Sequence, residues 1–94
     1  MVKVQRIVLD VLKPHSPNGL EFSTQLAESC PGCCFKLKVA EVDEKTETVI
    51  IIVESDDIPY DQVAEAIASM GGSIHSIDEV EVTSAKDSSQ LTDA

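Results

Sequence analysis

Twice along this chain a run of β-branched residues gives way to a helical pattern and then to a further such run. The elements therefore come in the order strand, helix, strand, strand, helix, strand. The first strand, Val2 to Leu12, places Ile7, Leu9 and Val11 on one face and Arg6, Val8, Asp10 and Leu12 on the other. Lys13-Pro14-His15-Ser16-Pro17 stops it, because a residue before proline avoids the helical region. Ser16 ahead of Pro17 reads as an N-cap followed by a first helical position. A helix is predicted from there to about Ser29. Leu20, Ala27 and Cys30, with Phe22 and Leu26 beside them, form its apolar stripe, and Pro31-Gly32 ends it.

The second half repeats the plan. Phe35, Leu37 and Val39 alternate with Lys36, Lys38 and Ala40, so Cys33 to Val42 reads as a half-buried strand, and Asp43-Glu44-Lys45-Thr46 as the turn of a hairpin. Glu47 to Glu54 contains Val49-Ile50-Ile51-Ile52-Val53, a continuous apolar run of the kind found in a strand covered on both faces, which places it centrally. Asp56-Asp57-Ile58-Pro59 opens a second helix in which Tyr60, Val63, Ile67 and Met70 recur at helical spacing; Gly71-Gly72 closes it. Ser73 to Thr83 is the last strand.

This order predicts an α+β, ferredoxin-like βαββαβ sandwich: a four-stranded antiparallel sheet with two helices on one face, in a single domain over residues 1–83. The polar residues 84–94 are expected to form a disordered tail. If Ile7, Leu9, Val11, Val49, Ile51 and Val53 face the helices, then Val8, Leu12, Ile50 and Ile52 face away from them. An antiparallel sheet open to water should be polar on that side. An apolar outer face marks an interface.

Three strings carry a resemblance: Arg6-Ile7-Val8-Leu9-Asp10-Val11-Leu12-Lys13-Pro14-His15, the Val42-Asp43-Glu44-Lys45-Thr46-Glu47 turn, and above all Gly71-Gly72-Ser73-Ile74-His75-Ser76-Ile77-Asp78-Glu79-Val80. By these the chain resembles the archaeal domain-of-unknown-function family 211, over nearly its whole length to about Val82. The resemblance implies a ferredoxin-like sandwich that assembles into a homo-oligomeric ring and has no established activity. Cys30 to Cys34 depart from the family's pattern, a small cysteine-free turn, so any cysteine chemistry here belongs to this chain.

Composition narrows the partners. The net charge of −10 argues against nucleic acid and anionic membranes, whose phosphates need clustered Lys and Arg, and favours cationic partners or divalent ions. No apolar run is long enough to span a bilayer and no basic-then-apolar leader is visible, which gives a cytoplasmic expectation. With no Trp, one Tyr and two Phe, the core must be aliphatic. A chain of 94 residues buries only about 60–65% of the surface its unfolded form exposes, so association is expected to supply stability.

Three constellations are candidate sites. His15 and His75, the only two histidines, fall in segments that the fold brings to one end of the sheet, with Asp10 and Asp78 near them. Imidazole plus carboxylate suits a divalent metal or a phosphate ester. The plainer reading is that each histidine holds a strand-to-helix corner. Cys30, Cys33 and Cys34 contain a Cys-x-x-Cys that follows a helix, whose negative end raises thiol pKa values; three thiolates can hold Cu(I) or share Zn²⁺, or they are small apolar fillers. Glu54, Asp56 and Asp57, with Asp61 beyond, gather charge suited to Ca²⁺ or Mg²⁺, against a reading in which Asp57 caps the helix and Asp61 complements its dipole. No nucleophile signature, phosphate loop or catalytic carboxylate pair stands out, so the expectation is a non-enzymatic module for assembly or for small-ligand or metal-ion binding. A soft-metal protein using the three cysteines is the alternative.

Overall fold

In the computed structural model, which describes residues 1–84, six elements follow one another: β1 (Val2–Pro14), α1 (Gly19–Ser29), β2 (Cys34–Val42), β3 (Thr46–Glu54), α2 (Tyr60–Ser69) and β4 (Ser73–Ser84). The sheet order is β2-β3-β1-β4 and every neighbouring pair is antiparallel, the ferredoxin-like α+β plan that the element order predicts. Ser84, the first residue of the expected tail, still pairs with Val2; the rest of that expectation lies outside the described residues. No helix among the described residues is long and apolar enough to cross a membrane.

The core lies between one face of the sheet and the two helices. Ile7 and Val53, Leu9 and Ile51, and Val11 and Val49 are direct cross-strand partners, and all six are buried. Phe22 and Leu26 of α1 and Cys30 at its C-cap, spaced four apart, and Val63, Ala66 and Ile67 of α2 cover them, with Ile58 from the connection before α2. The apolar stripe of α1 is thus narrower than its sequence implies. Leu20 is 78% exposed and Ala27 is exposed, because a stripe spaced four apart leaves both on the far side of the helix. The outer phase of β1 and β3 holds Val8, Leu12, Ile50 and Ile52 as expected, half-buried at most, and no helix crosses it. The apolar run of β3 is therefore central, but within one chain only its inner face is covered.

The two helix starts differ from what local residue type implies. α1 starts two residues later than the Ser16-Pro17 pair suggests. Asn18 is the N-cap, its side chain accepting from the Glu21 backbone N–H at 2.9 Å while Glu21 reaches back to the Asn18 N–H at 3.1 Å. This reciprocal box satisfies two orphan donors where a serine would satisfy one. α2 has Pro59 as N-cap and no side-chain cap, so Asp57 does not serve the helix; its own N–H donates to Ser55 Oγ instead. Gly71, at φ 85, takes the left-handed position that ends α2, and Gly72 N–H returns to the Ile67 carbonyl at 2.9 Å.

Of the four glycines, Gly72 permits the closest approach. A Cβ there would lie 2.7 Å from Ile67 Cγ2 and 3.2 Å from Phe22 Cζ. Gly72→Ala is expected to destabilise by roughly 1–3 kcal/mol through overpacking. Denaturant unfolding at unchanged m-value checks it; wild-type stability would show that the corner yields freely.

Candidate functional site

The inner phase of β1 runs Ile7, Leu9, Val11 and then Lys13, and that of β3 runs Val53, Ile51, Val49 and then Glu47. Two charges thus continue an apolar alternation, at directly paired positions at the same end of the sheet. Lys13 is 0% exposed and Glu47 has 13% of its side chain exposed. Lys13 Nζ donates to Glu47 Oε1 at 2.6 Å and to the Pro14 carbonyl at 2.8 Å, and sits 5.5 Å from the centroid of the Phe22 ring. Two acceptors and a ring face are what a desolvated ammonium requires.

His15 extends this cluster. Its Nε2 donates to the Glu44 carbonyl in the hairpin at 3.1 Å, and its Nδ1 lies 3.7 Å from Glu47 Oε2. Neither Lys13 nor Glu47 belongs to the candidate residues read from the sequence. The available signal was their phase: a charge where the alternation calls for an apolar side chain, on two strands that pair.

The Glu47 carboxyl is held below the ordinary carboxylate range, first by its hydrogen bond from Lys13, with the charges of Lys13 and His15 adding to it. The Lys13–Glu47 pair therefore stabilises the fold fully at pH above the unfolded carboxylate pKa of about 4.3, and that contribution is lost as pH falls through the lower folded value.

His75 faces the other way. With Asp10, Leu12 and Thr48 it lines a shallow hollow of about 370 Å³ on the outer face of the sheet. The fold thus brings His75 and Asp10 to one surface, while His15 is occupied at the hairpin and Asp78 accepts from the Ser76 hydroxyl at 2.7 Å. Near the opposite end of β1 and β3, Glu54 accepts from Arg6 at 2.8 Å, and Arg6 also donates to Glu79, so one guanidinium ties β3 to β4 across β1. Asp56 and Asp57 are exposed on the connection to α2. Cys30 is buried under the helices, Cys33 packs half-buried against the core, and Cys34 is exposed on the outer face opposite Glu54. Among the described residues, no three His, Cys, Asp or Glu side chains draw together as a metal would need.

The sequence profile of domain-of-unknown-function family 211, whose description reads "Uncharacterized ArCR", matches residues 5–86. This chain belongs to that family. It is also 40% identical over 77 residues to the uncharacterized protein MJ0319 of the archaeon Methanocaldococcus jannaschii, spanning 82% of this chain and 79% of that protein. The family match runs through the Lys13–Glu47 corner, the His75 hollow and the cysteine turn alike.

Removing one member of a buried pair leaves the other uncompensated. Glu47→Gln is expected to destabilise by an amount near the lower end of about 3–5 kcal/mol, because Glu47 keeps some contact with water. The double variant Lys13→Met/Glu47→Leu should recover most of it. Urea unfolding from pH 7 to pH 3 should show the wild type losing stability on acidification more steeply than the double variant.

Proposed function

We propose that this protein works as a homo-oligomer, a non-enzymatic assembly module that offers small-ligand or metal-ion sites between copies. One observation carries the reading. Of the nine large apolar side chains exposed among the described residues, Val39 and Val42 lie on β2 and Ile77, Val80 and Val82 on β4, the two edge strands. Val80, opposite Ile7 on the inner phase, is 53% exposed because the helices cover the centre of the sheet and not that edge. Unpaired apolar edges are a liability that a chain relieves by covering them.

The geometry favours a second copy as the cover. Each neighbouring pair in the sheet is antiparallel, so β2 runs with β1 and β4 runs against it. The β4 edge of one copy laid beside the β2 edge of the next continues the antiparallel pattern head to tail, an arrangement that closes into a ring when the rotation permits. The outer face supports the same reading. Its apolar centre of Val8, Ile50 and Ile52 is flanked by Lys36 and Lys38 on β2 and by Asp10 and Glu79 towards β4, opposite charges on opposite sides. Covering each half-exposed aliphatic side chain contributes on the order of 1 kcal/mol, before association costs.

The hollow lined by Asp10, Thr48 and His75 is the place where a ligand would meet polar groups on this face. The alternative role in soft-metal handling needs Cys30, Cys33 and Cys34 to converge, and the fold sets Cys34 on the outer face, away from Cys30 and Cys33 on the core side.

Light scattering at micromolar concentration should give a mass several times 10.1 kDa. Ile50→Asp and Val80→Asp should each lower it. A monomeric wild type contradicts the proposal, and a mass changed by Ile50→Asp alone would assign the interface to the face rather than the edges.

A further inference from the structure

Cys30, Pro31, Gly32 and Cys33 form a tight turn between α1 and β2. The Cys33 N–H donates to the Cys30 carbonyl at 3.2 Å, and Gly32 has φ 88. Proline at the first central position and a positive-φ glycine at the second define a type II β-turn. Such a turn holds its first and last Cα within about 7 Å, overlapping the roughly 4.4–6.8 Å span of bridged cysteines. Both side chains also lie on the same side of the chain. Cys30 is 1% exposed in the core, and Cys33 packs against that core from its edge. Cys34 projects to the opposite face of the sheet. The turn thus selects one pair out of three thiols.

We propose that Cys30 and Cys33 are a reversible dithiol–disulfide pair, oxidised by a low-molecular-weight disulfide, with Cys34 outside the couple. The half-exposed Cys33 thiolate attacks the small disulfide; its S–S bond breaks, a mixed disulfide forms on Cys33, and the first small thiolate leaves and takes up a proton. Cys30, having lost its proton to solvent base, then attacks Cys33 Sγ across the turn and releases the second small thiolate. Two protein thiols lose two electrons and two protons, and one small disulfide becomes two thiols. The closing step is slow near neutral pH, because burial raises the Cys30 thiol above its ordinary value and keeps its thiolate scarce. Closure fastens the end of α1 to the start of β2, a junction otherwise made by one turn hydrogen bond and side-chain packing.

The test treats the native full chain with oxidised glutathione, quenches by alkylation and maps the peptides. A Cys30–Cys33 link is expected, with loss of the mass of two hydrogen atoms, a single alkylatable thiol at Cys34 after denaturation, and full reversal by excess reduced glutathione. The linking rate should keep rising with pH past about 8.5, the ordinary thiol value. Cys34→Ser should retain the link; Cys33→Ser, altered at a half-exposed position, should lose it and leave Cys30 unmodified. Glutathione adducts on Cys33 or Cys34 without an internal link, a bridge between copies, or loss of the link in Cys34→Ser would overturn the proposal.

Discussion

Nearly everything in this fold follows from the pairing of β1 with β3. Ile7, Leu9 and Val11 face Val53, Ile51 and Val49 across two central strands, and all of them are buried against helices whose own contribution is a few aliphatic side chains and one phenylalanine. With so few aromatic residues, the helices have only enough apolar volume to cover the middle of one face. The outer face and both sheet edges are left apolar and open within a single chain. The proposed association of copies would cover them.

The same strand pair explains the one buried charge among the described residues. The inner phase of β1 outlasts the hydrophobic layer by a residue, so position 13 is shielded by Phe22 from above and by Glu47 from the side. Its neighbours stand in for water around the ammonium: a carboxylate, a carbonyl and a ring face. Such a pair adds little net stability over aliphatic residues, yet it fixes register, since slipping either strand by one residue would place a lone charge in the core. His15 and the hairpin carbonyl of Glu44 then tie the loop after β1 to the turn before β3.

At the other end of the sheet the chain solves a similar problem in the open. Arg6 holds Glu54 and Glu79 on either side, a bridge across three strands exposed to solvent, where ion pairs are worth little individually and more as a network. That engagement occupies Glu54, the β3 member of the acidic cluster between β3 and α2. The cysteine turn lies at the same end, with one thiol in the core, one at its edge and one on the outer face. Chemistry at the two ends is thus separated by the length of the strands.

The sequence alone determined the element order, the sheet plan and the phase of each central strand. The period of two in Ile7-Val8-Leu9-Asp10-Val11 and the hairpin turn at Asp43 to Thr46 are local signals that tertiary packing had no reason to override. The glycine that closes α2 was equally legible. Helix starts were not, because Ser16 and Asp57 are capable caps by residue type, and only the path of the chain decides whether a backbone N–H comes within reach; Asn18 was placed to do it at one helix, and no side chain was at the other. The candidate site was legible in part. Alternation fixed the side of the sheet that Asp10 takes, whereas the place of His75, at a register shift in β4, and the partners of His15, Asp78 and Glu54 depended on register between strands far apart in sequence. Lys13 and Glu47 were settled only by tertiary structure, since a charged residue on the inner phase of a strand is buried or exposed according to how far the helices extend over it, and no local pattern carries that distance.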